Sequence, residues 1–486
     1  MSTSTHSISK TSFLKFEQCQ KAFFLYKNHP YLRDKLSIDK QLTFKRGHDV
    51  GYFAQQIFPG GIDVSKETKN STAVELTTTL IRNKTPVIYE ATFVFNGVLI
   101  MVDILVLQDG KYLAYEVKSS IKISEIYIKD ACLQYYVLKN VLPDFTDLFL
   151  VTLNADYVLK NHIDPKRLFK KRSFKLKAEE NLLFFNHRIT QAHEVLEQNA
   201  IPNVGIGKHC FRPYQCDYFG TCWKDAINEK SIFNLPFIDK DKLFEWYYAG
   251  KKNIEQIENE LLEKDILTKV KQAFITNEPI VDVEKIKNFL AKITSPMAAM
   301  DMEIWSPAIP QLEGTRPFEQ VPFLICFYDG VNGFNFFTDL QVDERKVFAQ
   351  KLIAFSLNYA TILVYDKTME VAAISALIKI YPEFNETLEV IKNKLVDVFD
   401  VFLNLSYYHP NFKNNFSLKV VSQSLLDDVN YSKITSGLEA MNYFEQYRLA
   451  EDEAQKDQIK TDLVKYCQTD TLATYKMIAF LKQLVS

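Results

Sequence analysis

The sequence predicts an α/β protein of more than one domain, and three observations carry that expectation. Its 486 residues exceed what one hydrophobic core usually serves and leave room for about three domains. Between Pro86 and Lys118, strand patterns separated by two-residue turn pairs are followed by segments of helical periodicity. Strand patterns return after Pro296, beyond a charged stretch that reads as helix throughout. With 58 basic and 60 acidic side chains the net charge is -2, so no overall field favours a polyanion or a membrane, and nucleic-acid contact must rest on local patches. No run approaches the roughly 18 apolar residues of a membrane span, and the opening MSTSTHSISKTSF lacks the pattern of a secretory signal. A soluble cytoplasmic protein without membrane contact is therefore expected. Seven cysteines are few and odd in number for this length, so clustered ones read as metal ligands before disulfides.

The first strands are VIYEATFVF, VLIMVDILVL and KYLAYEVKSS, joined at Asn96-Gly97 and Asp109-Gly110, pairs that favour tight hairpins. Helices over Ser124–Asn140 and Lys177–Gln198 would pack on that sheet. From Ile232 to Ile293 the pattern is helical and charged and reads as a connector. AAMDMEIW, FLICFYDG, GFNFFTDL and ATILVYD then read as the strands of a second α/β domain, followed by helices to the C-terminus. The Pro-containing SPAIPQLEGTRP is too short for a disordered linker and reads as an ordered active-site loop.

The turn pairs fix register. A two-residue turn at Asn96-Gly97 pairs Phe95 with Val98 and sets Glu90 opposite Asp103; the turn at Asp109-Gly110 pairs Gln108 with Lys111 and sets Asp103 opposite Glu116. Three carboxylates then line up across three strands. Opposed like charges destabilise a sheet, so such a row points to a divalent cation between the oxygens, of the hard Mg2+ or Mn2+ kind. Lys118, two residues beyond Glu116, shares its face and can neutralise charge developing on a phosphate. A solvated amphipathic sheet is the competing explanation, and the apolar Val102, Ile104, Ala114 and Val117 argue against it.

These residues resemble the RecB-like branch of the PD-(D/E)xK nucleases, whose metal-binding Asp, Glu and Lys match Asp103, Glu116 and Lys118. The resemblance spans the first half of the chain. It implies a restriction-endonuclease-like fold with Mg2+ or Mn2+ at Asp103 and Glu116, and a downstream Gln motif at DACLQYYVL that puts Gln134 at a scissile-strand phosphate. The upstream helix motif meets RGHDVG, where Gly51 stands at the family's His position and His48 lies nearby; Tyr135 and Tyr136 directly follow Gln134.

Cys210, Cys216 and Cys222 fall at even five-residue gaps in KHCFRPYQCDYFGTCW, too close for chance among seven. The iron–sulfur subgroup of the RecB-like nucleases carries one Cys before the nuclease motifs and three after them, which implies Cys19 as the fourth ligand of a 4Fe–4S cluster. Four thiolates suit tetrahedral zinc equally, and the spacing does not separate the two. Cys132, Cys326 and Cys467 read as packing residues.

In the second half, Asp301 and Glu303 lie two apart on one strand face, and Tyr466 and Asp470 share a helix face at i, i+4. Asp-x-Glu followed by a late Tyr-x3-Asp resembles the tyrosine variant of DEDD, DnaQ-like exonucleases with an RNase H-like fold. That likeness implies a two-metal site at Asp301, Glu303, Glu370 and Asp470, with Tyr466 positioning the water. VYDKTMEVAAI stands in place of the usual middle motif, which aligns Glu370 with the metal-binding acid and leaves Asp397 as a further candidate. SPAIPQLEGTRPFEQVPF and YYHPNFKNNFSLKVV also resemble a family of uncharacterised bacterial proteins that joins a RecB-like nuclease to this domain.

KNHIDPKRLFKKRSFKLK, from Lys160 to Lys177, interleaves eight basic residues with Phe169 and Phe174, aromatics suited to stacking on unpaired bases; a solvated charged strand or loop is the alternative. The expectation is therefore a RecB-like nuclease over 1–230, a helical connector over 231–294 and a DEDD-type exonuclease over 295–486. Together they would hydrolyse nucleic acid, single-stranded or end-containing DNA by resemblance, in repair or defence. A catalytically impaired nucleic-acid-binding module with a structural metal–sulfur site is the alternative.

Overall fold

The computed structural model describes residues 8–67, 69–431 and 433–486. The chain forms two mixed α/β units: the part up to Lys224 with Pro307–Phe318, and Asp225–Ser306 with Glu319–Ser486.

The first unit is built on a seven-stranded sheet of β1 (Ile8–Ser9), β2 (Ile62–Asp63), β3 (Val87–Phe95), β4 (Val98–Gln108), β5 (Lys111–Lys118), β6 (Phe145–Leu153) and β7 (Phe169–Ser173). The order is β2-β3-β4-β5-β6-β7, with β1 parallel to β4. Asn96, Gly97, Asp109 and Gly110 all have positive φ, as turns that match strand twist require, and the registers follow: Phe95 pairs with Val98 and Gln108 with Lys111. Helices α1 (Lys10–Gln18), α2 (Gln20–Asn28), α3 (Ile38–Gln55), α4 (Asn70–Arg82) and α5 (Glu125–Val141) belong to this unit. Apolar residues of α1, α4 and α5 share a core with one sheet face; Val50 and Ala54 of α3 pack with Tyr89, Ile104 and Tyr115 of the other.

The segment Pro307–Phe318 joins that second core. Ala308 and Ile309 pack with it, Gly314 N–H donates to Leu159 O and Leu159 N–H to Thr315 O, both at 2.9 Å. The segment expected as an ordered active-site loop thus buries its apolar side chains on the first unit's sheet.

The second unit has a five-stranded sheet, order β11-β10-β9-β12-β13, formed by β9 (Met297–Trp305), β10 (Val321–Tyr328), β11 (Gly333–Phe337), β12 (Thr361–Val364) and β13 (Leu395–Asp397). β9, β10 and β11 are antiparallel; β12 runs parallel to β9 and to β13. The segment expected as a separate connector is part of this unit. Its β8 (Ile280–Val281) pairs with β14 (Tyr407–Tyr408), and Leu243, Leu267, Val270 and Ile286 share a core with Val401, Phe402, Met477 and Leu481. Short amphipathic helices cannot bury their apolar faces alone, so they take the nearest open face. Among the described residues, no helix is long and apolar enough to cross a membrane.

Candidate metal centres

The first centre forms where two strands change face. In β3, Phe93 and Ala91 face one core and so does Ile88, an odd step that breaks period-two alternation; in β4 the same break separates Val102 from Leu105. Glu90 and Asp103 occupy the break. Glu90 has φ +54, a left-handed conformation costly for a side chain with Cβ, and the ladder skips the Glu90–Asp103 pair while keeping its register on both sides. Asp103 Oδ2 accepts the Val117 N–H at 2.5 Å, which holds it beside Glu116.

Glu116 is 1% exposed. Its Oε1 accepts from Lys118 Nζ at 2.5 Å and from Lys10 Nζ at 2.8 Å, while Oε2 has no partner. Lys118 also donates to buried Asp130 on α5, and Lys10 lies 3.6 Å from the same Asp130 Oδ2. Burial opposes ionisation of Glu116, but Lys10 and Lys118 outweigh it and hold its carboxyl well below the usual range. Asp103 is pushed well above its ordinary value by burial and then by Glu116, and Glu90 is pushed up to about 6 by burial despite Lys10. Gln134, expected at a strand phosphate, is instead fully buried: its Nε2 donates to Asp130 Oδ1 at 3.1 Å and its Oε1 is unpartnered. It positions Asp130 from one helical turn away. The sequence reading missed Lys10 and Asp130; the i, i+4 spacing from Gln134 could have flagged Asp130, whereas nothing local marks Lys10.

Cys19, Cys210, Cys216 and Cys222 line one small cavity together with Ala22, Ile206 and Tyr218, and none forms a disulfide. Burial pushes the Cys216 thiol up to about 11 and raises those of Cys19 and Cys222. As free groups these are protonated thiols, and any metal taking them as thiolates must displace the protons.

The second centre lies on β9, whose even residues Ala298, Met300 and Met302 face one core and whose odd residues include Asp301 and Glu303. Across from them runs the helix Glu453–Gln483, bearing Tyr466, Cys467 and Asp470. Carboxylate oxygens of Asp301 and Glu303 and the sulfur of Cys467 lie within 4.8 Å of one another, and the Cys467 thiol donates to Asp301 O at 3.5 Å. Cys467 thus borders the site rather than only filling core. Asp470 Oδ1 accepts from Tyr431 Oη at 2.6 Å, a partner the sequence did not reveal. Burial and then Asp301 push Asp470 well above the carboxylate range, against hydrogen bonds from Tyr431 and Tyr466. Burial raises Asp301 to about 6, and burial followed by Asp301 raises Glu370 to about 8; Glu303 rises with burial and its acidic neighbours. Burial, then Asp470, likewise raises the Tyr466 phenol. Asp301 Oδ2 and Glu370 Oε2 are buried without partners. Among the described residues, none of the four acids forms an ion pair.

Asp397 is spent on the backbone. Its oxygens accept the N–H groups of Asp366, Lys367 and Phe399 at 2.9, 3.0 and 3.1 Å, which holds the turn ahead of the helix carrying Glu370. In the basic stretch, Phe169 and Phe174 are 5% and 6% exposed and so face the core instead of offering stacking surfaces. Lys171 Nζ lies 5.1 Å from the Phe58 ring centre, and Arg172 stands over Phe174 itself.

Residues 298–417 match a family described as a domain of unknown function (DUF2779). The match takes in Asp301, Glu303 and Glu370 and stops short of Tyr466 and Asp470. No curated protein matches the chain.

Proposed function

We propose that this chain is a metal-dependent nuclease with two centres, RecB-like in the first unit and DEDD exonuclease-like in the second, acting on nucleic acid and, by resemblance, on DNA in repair or defence. One observation carries the reading: each unit buries converging carboxylates and leaves carboxylate oxygens among them unpartnered, Glu116 Oε2 in one and Asp301 Oδ2 and Glu370 Oε2 in the other. An orphaned buried polar atom costs about 1–3 kcal/mol, and a hard divalent cation relieves it. Asp103 and Glu116 would hold Mg2+ or Mn2+ in the first centre; Asp301, Glu303, Glu370 and Asp470 would do so in the second. When bound, such a cation supplies Lewis-acid polarisation of the phosphate and of an attacking water. Lys118, anchored by Glu116 and Asp130, offers a fixed positive charge to the phosphate. Tyr466, whose phenol keeps its proton at neutral pH, orients water beside Asp470.

The thiol cavity fits a metal–sulfur group, a 4Fe–4S cluster by resemblance with zinc as the alternative.

The test is cleavage of end-labelled single-stranded DNA with Mn2+ by wild type, Asp103→Ala, Asp301→Ala and the double variant. Each single variant should lose one component of the cleavage pattern and the double variant all of it. A wild type that binds the DNA yet cuts nothing under Mg2+, Mn2+ or Co2+ would show a binding module instead.

A further inference from the structure

We propose that Lys10 is the built-in cation of the first centre, which an incoming divalent metal must displace, and that α1 makes its placement depend on the thiol cavity at the other end of the helix. This rests on reading the Glu90–Asp103–Glu116 row as a metal centre.

The ammonium stands where a cation belongs. Lys10 Nζ is 2.8 Å from Glu116 Oε1 and 3.6 Å from Asp130 Oδ2, and its charge acts on Asp103 and Glu90 as well. Its side chain keeps 25% of its exposure, so it has room to swing out, while Glu116 and Asp130 do not.

The backbone of Lys10 is fixed at both ends of a short rod. Ahead of it, β1 pairs with β4, Ile8 N–H donates to Gly97 O at 3.0 Å, and Ser9 caps α1 with a reciprocal bond to Ser12. From Lys10, α1 runs nine residues, about 13 Å at 1.5 Å per residue, to Gln18 and then to Cys19 in the thiol cavity. That far end is clamped to the cysteine loop: Gln18 Nε2 donates to His209 O and Tyr214 O, both at 2.8 Å, and Lys15 pairs with buried Asp217 at 2.5 Å. A helix transmits a shift at one end to the other, so the hold on Cys19 sets how well Lys10 reaches Glu116.

The experiment is a Mn2+ titration of the full-length protein, followed by the EPR signal of free Mn2+, in an Asp301→Asn, Asp470→Asn background that reports the first centre alone. Lys10→Met should tighten Mn2+ binding by at least about fivefold, because an opposing charge a few ångströms from the ligands is gone. Lys10→Arg, which keeps the charge, should stay within about twofold of the parent. Cys19→Ser, or the milder Gln18→Ala if the former does not fold by circular dichroism, should shift affinity in the Lys10→Met direction. Combined with Lys10→Met, either should add nothing. A Lys10→Met affinity within twofold of the parent overturns the proposal, as does a Cys19→Ser or Gln18→Ala shift that persists undiminished in the Lys10→Met background. Loss of the metal-centre reading itself looks different: Mn2+ binding then fails to respond to Asp103→Asn or Glu116→Gln.

Discussion

The two centres solve the same electrostatic problem in opposite ways. In the first, Glu90, Asp103, Glu116 and Asp130 are met by Lys10 and Lys118, leaving a formal charge of two negatives when all are ionised. In the second, Asp301, Glu303, Glu370 and Asp470 face no direct ammonium partner among the described residues; Lys419 acts on Asp470 only at a distance and lies 5.6 Å from the Tyr431 ring centre. The result is visible in protonation. Lysines hold Glu116 ionised even as Asp103 and Glu90 beside it are pushed upward, whereas in the second centre every acid is pushed upward. Internal cations make a site ready but partly filled; their absence leaves a site that must exchange protons for metal.

The comparison breaks most readily on the ligands themselves. Glu116→Gln and Glu303→Gln should each lower Mn2+ affinity at its own centre by at least roughly a hundredfold and leave the other centre unchanged, read by isothermal titration. Equal losses at both centres from either variant would mean that the two are not independent. Charge balance next predicts the count: one Mn2+ at the first centre and two at the second, which EPR stoichiometry in single-centre variants checks.

A subtler contrast is in pH. A carboxyl whose folded pKa is raised favours the fold below its unfolded value near 4 and loses that contribution as pH climbs through the folded value. With Asp301 at about 6 and Glu370 at about 8, metal-free protein should lose several degrees of melting temperature between pH 5 and pH 8. Glu370→Gln should flatten the upper part of that decline, and saturating Mg2+ should abolish it. A melting temperature that rises over this interval in metal-free protein would contradict the assignment. The smallest effect belongs to Asp397→Asn, which weakens acceptance of backbone N–H groups. It should cost about 1 kcal/mol in denaturant unfolding and leave the Mn2+ count unchanged.

How much was legible in the sequence follows from the range of the interactions involved. Both hairpin registers came out as read, because two positive-φ residues in a two-residue turn leave the flanking strands one alignment. The Asp301–Glu303 pair was readable for the same reason, strand period fixing the shared face. The face reversal at Glu90 and Asp103 was not: apolar residues on either side of Asp103 populate both faces of β4 and hide a change of parity. Gln134, expected at a scissile-strand phosphate by resemblance to a motif, lies buried against Asp130, since a motif match does not give burial depth. Phe169 and Phe174 looked like stacking rings because composition cannot tell an aromatic turned inward from one turned outward.

The sequence by itself determined what nearest neighbours decide: the meander and its register, the strand acids of the second unit, and the run of three cysteines. Tertiary structure alone decided which distant groups meet those residues. Lys10 reaches Glu116 across 106 positions, Tyr431 reaches Asp470 across 39, and Pro307–Phe318 packs into the first unit's core. The physical reason is that local geometry is set by steric and hydrogen-bonding rules within a few residues. Pairing between remote charges and apolar faces depends on which surfaces remain unburied once those local pieces have formed.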